Sequence, residues 1–311
     1  MADKGGNLMP RIAYTRKRFG EESQKIIGLA NQIIVEYEAQ GFVLTLRQLY
    51  YQFVARGWIE NRQSEYKRLG GIINDGRLAG HIDWDAIEDR TRNLEQNSRW
   101  SGPEDIMAAV YRSYHIDLWK GQDYRPEVWI EKEALVGVIE RVCRELDVAW
   151  FACRGYNSQS EQWRAGMRLK SYAADGQTPV IFHLGDHDPS GLDMTLDNSN
   201  RLSMFFGDHV QVVRLALNMD QVREYNPPPN PAKMTDSRFQ GYADQYGLHS
   251  WELDALEPSV IVDLIRGEVL ALCDEDLMAE RIAEKEATRE TLLQLAQRWD
   301  DVEEHLRREV S

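Results

Sequence analysis

The chain has 311 residues, 42% of them apolar and 28% charged, which is an ordinary soluble composition and enough for two domains with cores of their own. No apolar run approaches the roughly 18 residues of a membrane span, Met-Ala-Asp-Lys-Gly-Gly at the start lacks the apolar stretch of a signal peptide, and Cys143, Cys153 and Cys273 match neither a disulfide framework nor a zinc site, so a reducing cytoplasm and no membrane partner are expected. The net charge of −14 speaks against a uniformly basic nucleic-acid binder, yet residues 1–125 hold 18 basic and 17 acidic side chains, so the excess acid lies further on and local basic clusters such as Arg16-Lys17-Arg18 are left to meet phosphates.

Residues 1–20 read as a flexible arm. From Glu21 to Tyr37 the apolar residues Ile26, Ile27, Ala30, Ile33, Ile34 and Tyr37 recur at helical spacing, and Gly41 ends that helix. Thr45 caps a second helix, Leu46 to Ala55, and a third fits Ser64 to Asp75 with Tyr66, Leu69, Ile72 and Ile73 on one face. Gly76 and Gly80 bracket a turn before His81-Ile-Asp-Trp84, which reads as a short strand or wing. Residues 21–124 are therefore expected to be a helical, winged helix-turn-helix domain that binds DNA. Arg62, Lys67, Arg68 and Arg77 are its candidate phosphate contacts, with a solvated helix face as the alternative.

From Pro126 the periodicity changes. Strands are expected at Glu127–Glu131, Val148–Cys153, Val180–Leu184 and Val210–Ala216, separated by helices at Leu135–Leu146, Ser160–Ala173 and Ser190–Phe206. Such alternation implies a parallel sheet with helices on its faces over residues 125–225. Asn226-Pro-Pro-Pro-Asn-Pro231 reads as an extended linker, and residues 226–311 as a Pro-rich hinge followed by a charged helical extension. The fold class is α/β plus mainly-α.

Gly185-Asp-His-Asp-Pro-Ser-Gly191 follows the third strand. Asp186 and Asp188 stand at i and i+2, about 7 Å apart on one side of an extended chain. Pro189 stops the strand, and Ser190-x-x-Asp193 has the form of a helix start. Ligands of parallel sheets bind at the carboxyl ends of strands. Glu131 ends the first strand, so three acids meet on one edge, a hard-oxygen set of the kind Mg²⁺ takes. The bland alternatives are a solvated acidic loop and, for Glu131, a cap on the next helix. His187 points away from the acids and is read as structural. Lys233, Asp236 and Arg238 are read as anchoring the hinge, with a reach to the active site as the alternative. Glu252 and Asp254 repeat the i, i+2 pattern without a clear strand before them and are left outside the site. There is no Gly-x-x-x-x-Gly-Lys-Ser/Thr loop, and hence no ATP site of that kind is expected.

The constellation Glu131…Asp186-His-Asp188-Pro-Ser-Gly191 on a β-α-β-α-β-α-β unit resembles the Toprim domain of topoisomerases, primases and several nucleases. Ahead of it stands Thr45-Leu-Arg47-Gln-Leu-Tyr50-Tyr51. An Arg-x-x-Tyr-Tyr element followed by Toprim is similar to the A subunit of topoisomerase VI and its relative, the meiotic double-strand-break protein, most of all to their free-standing bacterial and phage "mini-A" forms. The resemblance covers roughly residues 40–220. It implies DNA cleavage, with religation, through a 5′-phosphotyrosine at Tyr51, with Tyr50 in reserve. It also implies Mg²⁺, or Mn²⁺ in its place, on Glu131, Asp186 and Asp188, and Arg47 beside the phosphate or the phenol. The partners it implies are DNA in the nucleoid, a second copy whose metal site serves the first copy's tyrosine, and a separate ATPase subunit. One departure is Asn157 after Gly155-Tyr156, where the family has Pro. Two other functions stay open: a metal-dependent nuclease that uses water while Tyr51 only packs, and a DNA-binding dimer inactive without a partner.

Overall fold

The computed structural model describes residues 11–87 and 99–309. Helices α1 (Glu21–Glu38), α2 (Leu46–Ala55) and α3 (Gln63–Leu78) come first. Ile26, Ile27, Ala30, Ile33, Ile34 and Tyr37 of α1 meet Leu49, Tyr50, Tyr51 and Phe53 of α2 and Leu69 and Ile73 of α3 in one core, as the apolar stripes dictate. A reciprocal capping box starts α2: Gln48 N donates to Thr45 Oγ1 at 3.3 Å, and Thr45 N donates to Gln48 Oε1 at 2.9 Å.

The expected wing is not a strand. Residues 81–84 bend, and among the described residues they pair with no strand. Ile82 is instead buried in the helical core, and Trp84 Nε1 donates to Ile12 O at 3.1 Å. Part of the expected arm is held: Ala13 bridges to Ala79 and Tyr14 N donates to Leu78 O at 2.8 Å. Residues 1–10 lie outside the described residues.

Helix α4 (Pro103–Ser113) falls where no element was expected. The sheet follows, with β1 (Tyr124–Ile130), β2 (Ala149–Ala152), β3 (Thr178–Leu184) and β4 (Gln211–Ala216), all parallel in the order β2-β1-β3-β4. A 3₁₀ turn (Glu133–Leu135) with α5 (Val136–Glu145), then α6 (Gln159–Ala174) and α7 (Pro189–Phe206) make the crossovers. Val128, Ile130, Val180, Phe182 and Leu184 face α5 and a helix from the end of the chain, Pro258–Leu270, while Trp129 and Ile181 face α6 and α7. Burial on both faces is why these strands read as nearly unbroken apolar runs. Cys143 and Cys153 are in these cores, and burial pushes both thiols up to about 12.

The strand order has a functional consequence. The chain steps from β1 outward to β2, then crosses back to lay β3 on the other side of β1. The carboxyl ends of β1 and β3 therefore flank a topological switch point, where parallel sheets form a crevice.

After α8 (Met219–Tyr225), the Pro-rich stretch does more than link. Strand β5 (Asn230–Pro231) pairs antiparallel with β6 (His249–Ser250), with α9 (Phe239–Tyr246) between them. His187 and Trp251 then form an antiparallel bridge, which carries the chain back across the switch point. Beyond a 3₁₀ turn (Leu253–Ala255), α10 (Pro258–Leu270) buries Ile261, Ile265 and Val269 on the sheet. Helix α11 (Glu275–Gln297) lies along α4, with Arg289 4.9 Å above the Tyr111 ring, and α12 (Trp299–Glu309) ends the described chain. Among the described residues no helix is long and apolar enough to cross a membrane.

Candidate active site at the carboxyl ends of β1 and β3

Ile130 pairs with Leu184, so the next residues, Glu131 and Gly185, leave the sheet side by side. Glu131 N donates to Leu184 O at 2.8 Å, and Asp186 N donates to Glu131 Oε2 at 3.0 Å. Both glycines of the motif are explained by this turn. A Cβ on Gly185 would stand 2.8 Å from Glu131 Oε2, and one on Gly191 would stand 2.2 Å from Asp186 O, so any side chain there would force the acid loop open. The helix start differs from the expected Ser190-x-x-Asp193. Asp188 is the N-cap, its Oδ1 accepting from Gly191 N at 2.6 Å, with Pro189 in the first turn. Asp193 instead meets Arg238 at 2.6 Å and the Tyr156 hydroxyl. His187 is structural, as expected: its Nδ1 is 2.9 Å from Tyr242 Oη, and its ring lies edge-on to Tyr246. Burial and the nearby Arg214 charge depress its pKa to about 4.

Arg214 of β4 lies beneath the loop. Its guanidinium donates to Gly185 O at 3.0 Å, Gly191 O at 2.9 Å and Thr195 Oγ1 at 2.8 Å, and also to Asp186 O. Burial lowers its pKa to about 10, opposed by Glu131, Asp186 and Asp188.

The returning segment closes the site from the other side. Leu253 N donates to Asp186 Oδ1 at 2.8 Å. Lys132 Nζ lies 3.0 Å from Asp186 Oδ2, 2.9 Å from Glu252 Oε2 and 3.4 Å from Asp254 Oδ1. Arg47, on α2, contacts Glu252 Oε2 through Nη2 and Asp254 Oδ2 through Nε at 3.0 Å. One helical turn on, the Tyr51 ring lies 5.8 Å from the Arg47 guanidinium, and Asn230 Nδ2 reaches both Tyr51 Oη at 3.5 Å and Glu252 Oε1 at 3.2 Å. Tyr50 turns elsewhere and donates to Asn61 Oδ1 at 3.0 Å. The open space is a cleft of about 540 Å³ whose lining includes Arg47, Glu131, Lys132, Arg154, Asp186 and Glu252.

Of the residues singled out from sequence, Arg47, Tyr51, Glu131 and Asp186 therefore come together, with Asp188 one step away as the helix cap. Arg62, Lys67, Arg68 and Arg77 do not join them. Arg68 is paired with Glu65 and Glu22, both at 2.7 Å, Arg62 pairs with Glu60, Arg77 packs 4.9 Å over Trp84, and Lys67 is exposed on α3. The site also holds Lys132, Asn230, Glu252, Asp254 and Arg214, none of which was singled out for it. The Glu252-Leu-Asp254 spacing was the available signal.

The charges are strongly coupled. Burial, and then Asp186, push the Glu131 carboxyl up to about 7. Burial also raises Asp188 and Asp254. For Lys132 burial acts downward, but Asp186, Asp254 and Glu252 outweigh it and raise the pKa. Glu252 is opposed by burial yet held down at about 2 by Lys132 and Arg47. Burial, and then Glu252, raise the Tyr51 phenol, against Asn230 and Arg47. The hard-oxygen donors Glu131 and Asp186 suit Mg²⁺ or Mn²⁺, which take one or two carboxylates and complete their shell with water and substrate oxygens. Among the described residues no cluster of three or more His, Cys, Asp or Glu side chains is gathered for a metal.

The raised Glu131 carboxyl has a measurable consequence. A carboxyl whose pKa rises on folding supports the fold most below its ordinary value of 4.5, and that support is lost as pH climbs toward about 7. Without divalent cation, Glu131→Gln is expected to stabilise the protein at pH 8 by about 2 kcal/mol, with the gain vanishing near pH 4. Thermal melts of both proteins across that range check it, and equal melting temperatures at pH 8 would contradict it.

No protein-family model matches this chain, and no curated protein matches it.

Proposed function

We propose that the protein cuts DNA by transesterification. Tyr51 Oη attacks a backbone phosphorus and loses its proton, the bond from phosphorus to the 3′ oxygen breaks, and that oxygen takes up a proton. The 5′ end stays on the tyrosine, and reversal reseals the strand. One arrangement supports this reading: Arg47 and Tyr51 of α2 reach the strand-end acids through a continuous path of contacts, Tyr51–Asn230–Glu252–Lys132–Asp186. A divalent cation held by Glu131 and Asp186 would supply stabilisation of phosphate charge. Arg47 orients the attacked phosphate, and the buried walls keep water from the phenol. The order of a helical unit and then a parallel sheet accords with the Toprim and topoisomerase VI A-subunit resemblance. On that resemblance a second copy and, for strand passage, an ATPase subunit are the partners, and the helical unit of α1, α2 and α3 is the part that binds DNA.

A second reading is metal-dependent hydrolysis by water, with Tyr51 as core. It is favoured by the burial of Tyr51, which is 3% exposed. The two separate in one experiment. Supercoiled DNA is incubated with the protein in Mg²⁺ or Mn²⁺, denatured with detergent, and compared with and without protease. Transesterification leaves broken DNA that carries protein until protease frees it. Hydrolysis leaves free ends. Uncut DNA in both cations, with Asp186→Asn indistinguishable from wild type, would sink both readings and leave a DNA-binding protein.

A further inference from the structure

We propose that the Glu252 carboxylate fills a phosphate-binding site formed by Arg47, Lys132 and Asn230, and that a DNA backbone phosphodiester takes its place beside Tyr51. The inference rests on the nucleic-acid reading above and names the group that the cleft receives. A single oxygen, Glu252 Oε2, meets both Arg47 Nη2 and Lys132 Nζ, the latter at 2.9 Å. The other oxygen accepts from Asn230 Nδ2 at 3.2 Å. A guanidinium, an ammonium and an amide converging on one small anion is the donor set that phosphate oxygens take.

Both cations keep another carboxylate beside them if Glu252 leaves. Asp254 already meets Arg47 Nε at 3.0 Å and Lys132 Nζ at 3.4 Å, and its side chain is 1% exposed, whereas that of Glu252 is 22% exposed at the cleft. Asp254 is thus the fixed anchor and Glu252 the occupant able to swing out. The exchange balances in charge, because a carboxylate and a phosphodiester each carry one negative charge. The position is also the right one, since the same Asn230 amide lies 3.5 Å from Tyr51 Oη. A phosphate in the place of Glu252 would stand next to the attacking oxygen, so the resting chain blocks its own reaction centre until DNA displaces the side chain.

The test uses the full chain without divalent cation. Binding of a fluorescein-labelled DNA duplex is followed by anisotropy, and binding of inorganic pyrophosphate by calorimetry. Glu252→Gln keeps the shape and removes the charge. It is expected to tighten both ligands about tenfold and to steepen the dependence of log K on log salt for the duplex by about one. Adding Lys132→Met to Glu252→Gln cancels the gain. Glu252→Asp, too short to bridge both cations, gives a smaller gain and serves if the Gln variant folds poorly. No gain for either ligand in either variant overturns the proposal. A gain for pyrophosphate alone upholds the site and overturns the nucleic-acid reading instead.

Discussion

Tyr51→Phe is expected to lower covalent attachment to DNA by at least about a thousandfold while leaving the fold in place. The substitution removes only the nucleophilic oxygen, and effects of that size or larger follow removal of a nucleophile that forms the covalent intermediate. Its structural cost is small. The ring remains in the core shared by α1, α2 and α3, and the hydroxyl's contact with Asn230 is long, at 3.5 Å, so stability should change by no more than about 1 kcal/mol. Tyr50→Phe is the matched control. It loses a 3.0 Å hydrogen bond to Asn61 and should cost about 1 kcal/mol of stability with attachment preserved. Retention of end-labelled DNA on denatured protein, together with melting curves, reads both quantities. Attachment that persists in Tyr51→Phe would remove this tyrosine from the chemistry.

The largest stability effect is expected at Arg214. Arg214→Met should cost about 3–5 kcal/mol, because the guanidinium is the shared donor to the carbonyls of Gly185, Asp186 and Gly191 and to Thr195 Oγ1. Without it those acceptors stay buried and unmatched, and Asp186 and Asp188 lose the positive charge beneath them. Arg214→Lys should recover only part of the loss, since an ammonium lacks the planar fork that spans both ends of the loop. Urea unfolding with an unchanged slope measures the difference. A cost below about 1 kcal/mol would mean that water takes over the guanidinium's bonds.

These two residues were unequally legible in the sequence. The tyrosine sits in a motif with Arg47, and four strands alternating with three helices over short connections made the parallel sheet readable from periodicity and placed the acidic loop at a strand end. Arg214 offered only a lone cation inside Val-Val-Arg-Leu-Ala, a pattern that an edge strand equally allows. Glu252 and Asp254 repeat the i, i+2 spacing of Asp186 and Asp188, but the strand before them is two residues long and their segment is held by His187, a residue in a loop. No local period announces such a pairing. Lys132 carries no pattern of its own in the sequence, because only the folded chain sets it between Asp186 and the returning segment. The wing failed for a related reason: Ile82 finds burial against the helices, which outweighs the strand-like alternation around it.

The decisive measurement is the identity of the residue that carries nucleotide. Protein trapped on DNA in Mn²⁺ would be digested with nuclease and trypsin, and the modified peptide sequenced by mass spectrometry. A nucleotide joined through its 5′ phosphate to Tyr51, lost in Asp186→Asn, is the expected result. A nucleotide on any other residue, or cut DNA with no modified peptide at all, would contradict the union of the α2 tyrosine with the strand-end acids in one reaction.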